Sequence, residues 1–248
     1  MTGRVPARST VRALAKRSSA VQGLRWLTSA TARREAVDSR NLRLLCSFAL
    51  RRDSNCVDVG AHEGAVLAEI VRVAAAGRHI AFEPLPAFAE RLRASFPTVD
   101  VRNAALGNET GERSFVSVRD QPALSGFRER TYPGPMQRDM ITVGVERLDD
   151  ALPAGYVPAL IKIDVEGAER EVLEGALETI ARHRPIVVFE HGKGAAPVYG
   201  TSPRDVFALL VEQGGLRIFD LDGRGPFDMA EFEAIFEEGD RWNFVAHS

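Results

Sequence analysis

The chain has 248 residues, 45% of them hydrophobic and 27% charged, with a formal net charge of −2 at pH 7. This is the balance of a globular domain with a full core, which excludes a disordered chain and argues against a generic nucleic-acid binder. The two cysteines, Cys46 and Cys56, exclude a disulfide scaffold or a cysteine zinc site, and the longest run without Asp, Glu, Lys or Arg (Ala151–Ile161) is too short for a transmembrane helix, which needs about 20 residues.

Residues 1–40 read as a basic extension. The first 34 residues carry eight Lys/Arg and no acid, leaving the rest of the chain at −10. Three readings stay open for it. It is a basic helix or arm; it is an arm for a membrane surface or a partner; or it is an organelle transit peptide. The second reading has Val11, Leu14, Val21, Leu24 and Leu27 lining one face among the arginines.

Residues 41–248 form the predicted domain. Asn41–Leu50 has helical period. Asn55–Val59 is a short apolar strand ending in Gly60, and Gly64–Ala76 is a helix stopped by Gly77. Strand His79–Phe82, helix Pro86–Ser95 and strand Thr98–Arg102 follow. This β-α-β-α-β run predicts a mostly parallel sheet of Rossmann-like type. Residues 107–147 break the rhythm. Arg113–Val118 and Met140–Val145 alternate like a hairpin around a loop holding Tyr132, Pro133, Gly134 and Pro135. Strand Leu160–Ile163, helix Ala168–Ala181, strand Ile186–Phe189 and helix Pro203–Glu212 resume the alternation, and strands Leu216–Phe219 and Phe244–Ala246 close it. The whole is a three-layer α/β domain with seven sheet strands and a β-hairpin insertion between the third and fourth.

Candidate functional residues cluster at the strand ends. Val57-Asp58-Val59-Gly60-Ala61-His62-Glu63-Gly64 puts two glycines between a strand and a helix. Gly60 permits a tight turn, and Gly64 allows a ligand to approach the backbone. The spacing is not G-x-G-x-x-G, which disfavours a nicotinamide cofactor. Glu83 ends the second strand, where a carboxylate accepts hydrogen bonds from ribose hydroxyls or complements a helix dipole. Asn103 ends the third strand and either reaches an adenine edge or forms an Asx-turn. Ile161-Lys162-Ile163-Asp164-Val165-Glu166-Gly167-Ala168-Glu169 crowds acids at the fourth. Glu166 and Glu169 fit an ordinary helix N-terminus, whereas Asp164 follows an apolar strand and should face the crevice. Glu190 and His191 end the fifth strand, and His191 is a candidate general base. Asp164 with Glu190 also has the oxygens for a divalent cation, but no metal ligand set is assigned.

Taken together, Val57-Asp58-Val59-Gly60-Ala61, Phe82-Glu83-Pro84, Lys162 to Glu169 and Phe189-Glu190 resemble the FkbM family of S-adenosylmethionine-dependent methyltransferases. The resemblance runs from about Asn55 to His247 and implies the class I methyltransferase sheet with an antiparallel last strand. It implies S-adenosyl-L-methionine as cofactor, held by Asp58, Gly60, His62, Gly64, Glu83 and Asn103. The methionine part would lie near Asp58 and Gly60, the ribose at Glu83 and the adenine near Asn103. His62 stands where the family usually has Asn. The implied reaction is O-methylation of a hydroxyl on a sugar, glycan or secondary metabolite. Its catalytic residues would be Asp164 or His191 as base and Glu190 as orienting group. Acceptor choice falls to residues 107–147 and 191–203. The alternative is a catalytically lapsed nucleoside-binding protein that acts as an interaction module through its basic arm. The expected location is cytoplasmic.

Overall fold

In the computed structural model, residues 30–132 and 134–248 are described. The first 29 residues of the predicted basic arm lie outside the described residues. The chain divides into two units, Met1–Asn41 and Leu42–Ser248. Helix α1 spans Ala30–Ala49. It therefore begins well before the expected Asn41. Residues 30–40 lack apolar period but are rich in Ala and Arg, which favour helix on propensity alone. Within the first unit Arg34 pairs with Asp38 one turn on.

The second unit is built on a sheet of seven strands: β1 (Asn55–Val59), β2 (His79–Phe82), β3 (Asp100–Arg102), β7 (Pro158–Ile163), β8 (Ile186–Glu190), β9 (Arg217–Asp220) and β10 (Asn243–His247). Their spatial order is β3-β2-β1-β7-β8-β10-β9. All neighbours are parallel except β10, which runs antiparallel to both β8 and β9. The chain leaves β1 toward β2 and β3 and returns on the other side as β7. That reversal opens a crevice at the carboxyl ends of β1 and β7, the usual ligand position in such sheets.

Both faces of the sheet are covered, so its strands are apolar on alternate positions to either side. On one face Val57, Val59, Ile161, Ile163, Val187 and Phe189 pack against α5 (Glu169–Glu174), α6 (Leu177–His183), α7 (Pro203–Phe207) and α8 (Met229–Glu238). On the other, Cys56, Leu160 and Val188 meet Cys46, Leu50 and Ile70, and Ala81 and Val101 meet Leu67, Ala89 and Leu92. These partners come from the end of α1, from α2 (Ala65–Val73) and from α3 (Pro86–Ser95). Among the described residues no helix is long and apolar enough to cross a membrane.

The single helix expected over Ala168–Ala181 is two, α5 and α6, broken at Gly175-Ala176. The cause is tertiary. A Cβ on Gly175 would lie 1.9 Å from the Gly107 carbonyl oxygen. Asp149, in the short α4 (Leu148–Ala151), then caps α6 by accepting the N–H groups of Glu178 at 3.2 Å and Thr179 at 2.9 Å.

A second, three-stranded sheet stands over the crevice. Strand β5 (Gly111–Val118) pairs antiparallel with β6 (Arg138–Glu146), and β4 (Ala105–Leu106) runs parallel to β6 on its other edge. The connection from β5 to β6, residues 119–137, carries a short 3-10 turn at Pro122–Leu124.

Candidate active site

Strand register places the key residues side by side. Val59 is level with Phe82 on β2 and with Ile163 on β7, and Ile163 is level with Phe189 on β8. One residue further on, Gly60, Glu83, Asp164 and Glu190 form a row along the carboxyl edge. The backbone ties the row together. The N–H of Gly60 donates to Phe82 O at 3.0 Å, and that of Asp164 to Val59 O at 3.2 Å. Gly60 has φ +74°, and a Cβ there would sit 2.0 Å from the Asp164 carbonyl oxygen. No other residue fits that turn without moving β7.

The cleft above this row is lined by Gly60, His62, Glu83 and Asp164 from the sheet edge, by Ala105, Leu106 and Phe115 from the second sheet, and by Ser125 and Phe127 from the insertion, among others. Counted to its open mouth, with the solvent there included, it holds about 730 Å³.

Glu83 is 3% exposed and sits at the head of the cleft. Its Oε2 accepts the His62 N–H at 2.8 Å and its Oε1 the Leu85 N–H at 2.9 Å. Burial pushes its pKa up, and those two N–H groups pull it back. Each carboxylate oxygen has two acceptor positions. Glu83 can therefore be held by the backbone and still receive hydroxyl donors from a ligand. His62 has a left-handed backbone, φ 48°, and its ring stacks on Phe88 with centroids 4.4 Å apart. Burial lowers its pKa.

Below the floor lies a charged pair: Asp58, expected at the methionine part of the cofactor, and Lys162, to which the sequence assigned no role. Lys162, level with Asp58 across β1 and β7, donates to Gly60 O at 2.9 Å. Its ammonium is 3.4 Å from both Asp58 and Asp164. Burial alone would lower the Lys162 pKa, but Asp164 and Asp58 together raise it, so it stays charged. Asp58, whose side chain is fully buried, has its pKa raised by burial, and Lys162 opposes that shift. Asp58 thus braces the turn from beneath and does not line the cleft.

The acid cluster after β7 separates into distinct tasks. Asp164 lines the cleft. Glu190 stands behind it and hydrogen-bonds to it. Burial, and then the charges of Asp164, Glu166 and Glu169, raise the Glu190 pKa well above that of a carboxyl in water. Glu169 is buried, and its Oε1 accepts the N–H groups of Val165 at 3.2 Å and Gly167 at 3.0 Å. Glu166 does not behave as a surface acid at a helix start. It has φ +60°, lines the cleft and pairs with Arg130 at 2.7 Å. A left-handed, non-glycine residue within a V-E-G turn carries no sequence signal that could have marked it.

Four of the nine candidate residues, Gly60, His62, Glu83 and Asp164, line the cleft; the other five do not. Besides Asp58 and Glu190, already placed, Gly64 serves packing rather than ligand approach. A Cβ there would meet Phe96 at 2.7 Å and Leu92 at 2.8 Å. Asn103 spends both Nδ2 hydrogens on the Glu83 and Pro84 carbonyls, at 2.9 and 3.0 Å, so it steadies the Glu83 corner from outside. His191 is the largest correction. It is 1% exposed, with its ring stacked on Phe236 and Phe232 of α8 at 4.8 and 5.9 Å. Neither ring nitrogen has a hydrogen-bond partner, and burial lowers its pKa to about 4. A histidine buried against α8, away from the cleft lining, cannot reach a ligand in the cleft. Among the described residues no group of three His, Cys, Asp or Glu could hold a metal ion.

The family model described as the methyltransferase FkbM domain matches residues 58–216, from β1 to the start of β9. A solved structure of methyltransferase FkbM from Methylobacillus flagellatus KT is 17% identical, with a TM-score of 0.50 over 80% of this chain and 44% of that one. The chain thus spans less than half the length of that protein. The O-methyltransferase from Bacillus cereus, solved in complex with SAH, is 13% identical, with a TM-score of 0.47, covering 98% of this chain and 91% of its own. Cofactor-bound Rv0187 from MTB is 16% identical with a TM-score of 0.47, covering 92% and 95%. No curated protein matches the chain significantly. The family match covers well over half of the residues and takes in every strand end that builds the cleft, so the chain belongs to the methyltransferase FkbM domain family.

Proposed function

We propose that this chain binds S-adenosyl-L-methionine in the strand-end cleft and transfers its methyl group to a hydroxyl of a small-molecule or glycan acceptor, a sugar or secondary metabolite. The observation that carries the reading is Glu83: buried, fixed by two backbone N–H groups, and facing the cleft next to the glycine turn. A ribose diol fits that carboxylate. The apolar wall of Leu85, Ala105, Leu106 and Phe115 suits a flat base. The carboxyl groups of Glu83, Asp164 and Glu166 face the cleft, and among the described residues no Lys or Arg lines it, which favours a positively charged sulfonium. When bound, that cofactor supplies a methyl group on a good leaving group.

The protein's own work is alignment and proton removal. Asp164, hydrogen-bonded to Glu190, takes the acceptor hydroxyl proton as the oxygen attacks. Glu190 orients it. Phe115 and Phe127 exclude water from the reacting atoms.

The test is a thermal melt of the full chain with S-adenosylhomocysteine. At about 100 times its dissociation constant a ligand adds about 2.7 kcal/mol to the folded state. In a domain of this size that raises Tm by about 5–11 °C. Glu83→Ala should abolish the shift while the protein stays folded. A wild-type chain that shows no shift at millimolar ligand would overturn the reading.

A further inference from the structure

Residues 119–137 form the outer wall of the cleft, with Pro122, Ala123, Ser125 and Phe127 lining it. Three arginines fasten this wall to the far side. Arg113 of β5 pairs with Glu171 of α5 and lies over the Phe127 ring at 4.0 Å. Arg128 donates its N–H to the Tyr199 hydroxyl oxygen and its guanidinium to Val198 O, both at 3.2 Å. Arg130 reaches Glu166 at 2.7 Å. Of these partners only Glu166 lines the cleft itself, and the Arg130 side chain is only 9% exposed.

The turn that presents Glu166 is over-determined. A glutamate at φ +60° is costly unless its surroundings hold it there. Glu169 takes the N–H groups on either side of it. The Tyr199 ring seats on Gly167, where a Cβ would lie 2.6 Å from it. Arg130 supplies the remaining restraint, on the side chain.

We propose that Arg130 is a positioning residue for ligand binding: by pairing with Glu166 it latches the 119–137 segment across the cleft as its roof. The inference rests on the cofactor reading above. Four groups act on Glu166: Asp164 on its own turn, Lys162 on β7, Glu190 on β8 and Arg130 from the roof. Burial, then Asp164, push the Glu166 pKa up to about 7, while Arg130 and Lys162 pull it down. The latch is therefore an ion pair above about pH 7. Below that pH the carboxyl gains a proton and the charge attraction is lost. Removing Arg130 moves that transition to higher pH.

The experiment is calorimetric titration of S-adenosylhomocysteine into the full chain from about pH 6 to about pH 9, a range that spans an ordinary raised carboxyl. Wild-type affinity should fall as pH drops through 7. Arg130→Gln should weaken binding about tenfold above pH 7, where the wild-type pair is formed, and little near pH 6, where that pair is already lost, and Arg130→Lys should restore most of the loss. Glu166→Gln should flatten the pH dependence. A merely structural role for Arg130 would weaken binding equally at every pH and would not be rescued by lysine. Amide exchange without ligand reads the latch separately: Arg130→Gln should speed exchange over residues 122–130 and leave β8 unchanged. Wild-type affinity across pH together with unchanged exchange in Arg130→Gln would overturn the proposal. A wild-type chain that fails to bind S-adenosylhomocysteine would sink the cofactor reading instead, and the exchange comparison alone would then decide the latch.

Discussion

The two walls of the cleft are made in different ways. The inner wall is a row of strand ends, and its geometry follows from parallel register: once Val59, Phe82, Ile163 and Phe189 are level, Gly60, Glu83, Asp164 and Glu190 must be neighbours. The outer wall has no such scaffold. It is a loop tied to β5 by the paired backbones of Val116 and Gly126 and to the far side by Arg113, Arg128 and Arg130, whose partners lie 36 to 71 residues further along the chain. Rigid positioning of the reacting groups thus comes from the sheet, and a surface that can vary with the acceptor comes from the loop. The difference teaches where substitutions will be felt: in the inner wall as lost fold, in the outer wall as altered binding.

The sharpest way to break that comparison is to remove one charge from each wall. Lys162→Met leaves Asp58 buried with no cation and releases the Gly60 carbonyl. Breaking a buried pair costs about 3–5 kcal/mol, so urea denaturation should show a loss of that size. Arg128→Ala in the outer wall keeps the backbone bond to Tyr199 and removes only the exposed guanidinium bond to Val198 O and the contact over the Tyr199 ring, and should cost about 1 kcal/mol or less. Equal losses would mean that the outer wall is as much a part of the fold as the inner one.

The next effect lies in His191. With its pKa lowered from 6.5 to about 4, His191 is neutral in the fold at pH values where the unfolded chain already takes up a proton. Its contribution is intact above pH 6.5 and is lost as pH falls from there toward 4. At 1.36 kcal/mol per pH unit the loss approaches about 3 kcal/mol. His191→Phe matches the apolar surroundings of Phe232 and Phe236. It should be more stable than wild type at about pH 5 and lose much less stability between neutrality and acid. A variant with the same acid sensitivity as the parent would show that the titrating group is elsewhere.

His191 also marks the limit of what the sequence could disclose. The apolar pattern placed all seven sheet strands, because strands covered on both faces are apolar at most positions. It placed Glu83 and Asp164 for the same reason, since a carboxylate ending such a strand has only the crevice to enter. His191 follows the same kind of strand by two residues instead of one, and that step turns its ring onto α8. The break between α5 and α6 and the role of Glu166 depend on Gly107, Asp149 and Arg130, which no local pattern connects to them. Side-chain identity at strand ends was legible; contacts between distant segments were not.

The smallest effect separates two readings of Asn103. If it touches adenine, its loss should weaken S-adenosylhomocysteine binding directly. The geometry makes it a brace, since both amide hydrogens go to the carbonyls of Glu83 and Pro84. Asn103→Ala should then cost about 1 kcal/mol of stability, the net worth of partly exposed hydrogen bonds. Binding should weaken only about threefold, because Glu83 keeps its own N–H donors from His62 and Leu85. The ratio of the two losses is the informative quantity. A brace lowers stability first and affinity second, through a Glu83 corner that is less well held. A ligand contact does the reverse. Paired melting and titration curves for Asn103→Ala, set beside those for Glu83→Ala, decide the matter. Unchanged stability with affinity as poor as that of Glu83→Ala would return Asn103 to the binding surface through its one remaining polar atom, Oδ1.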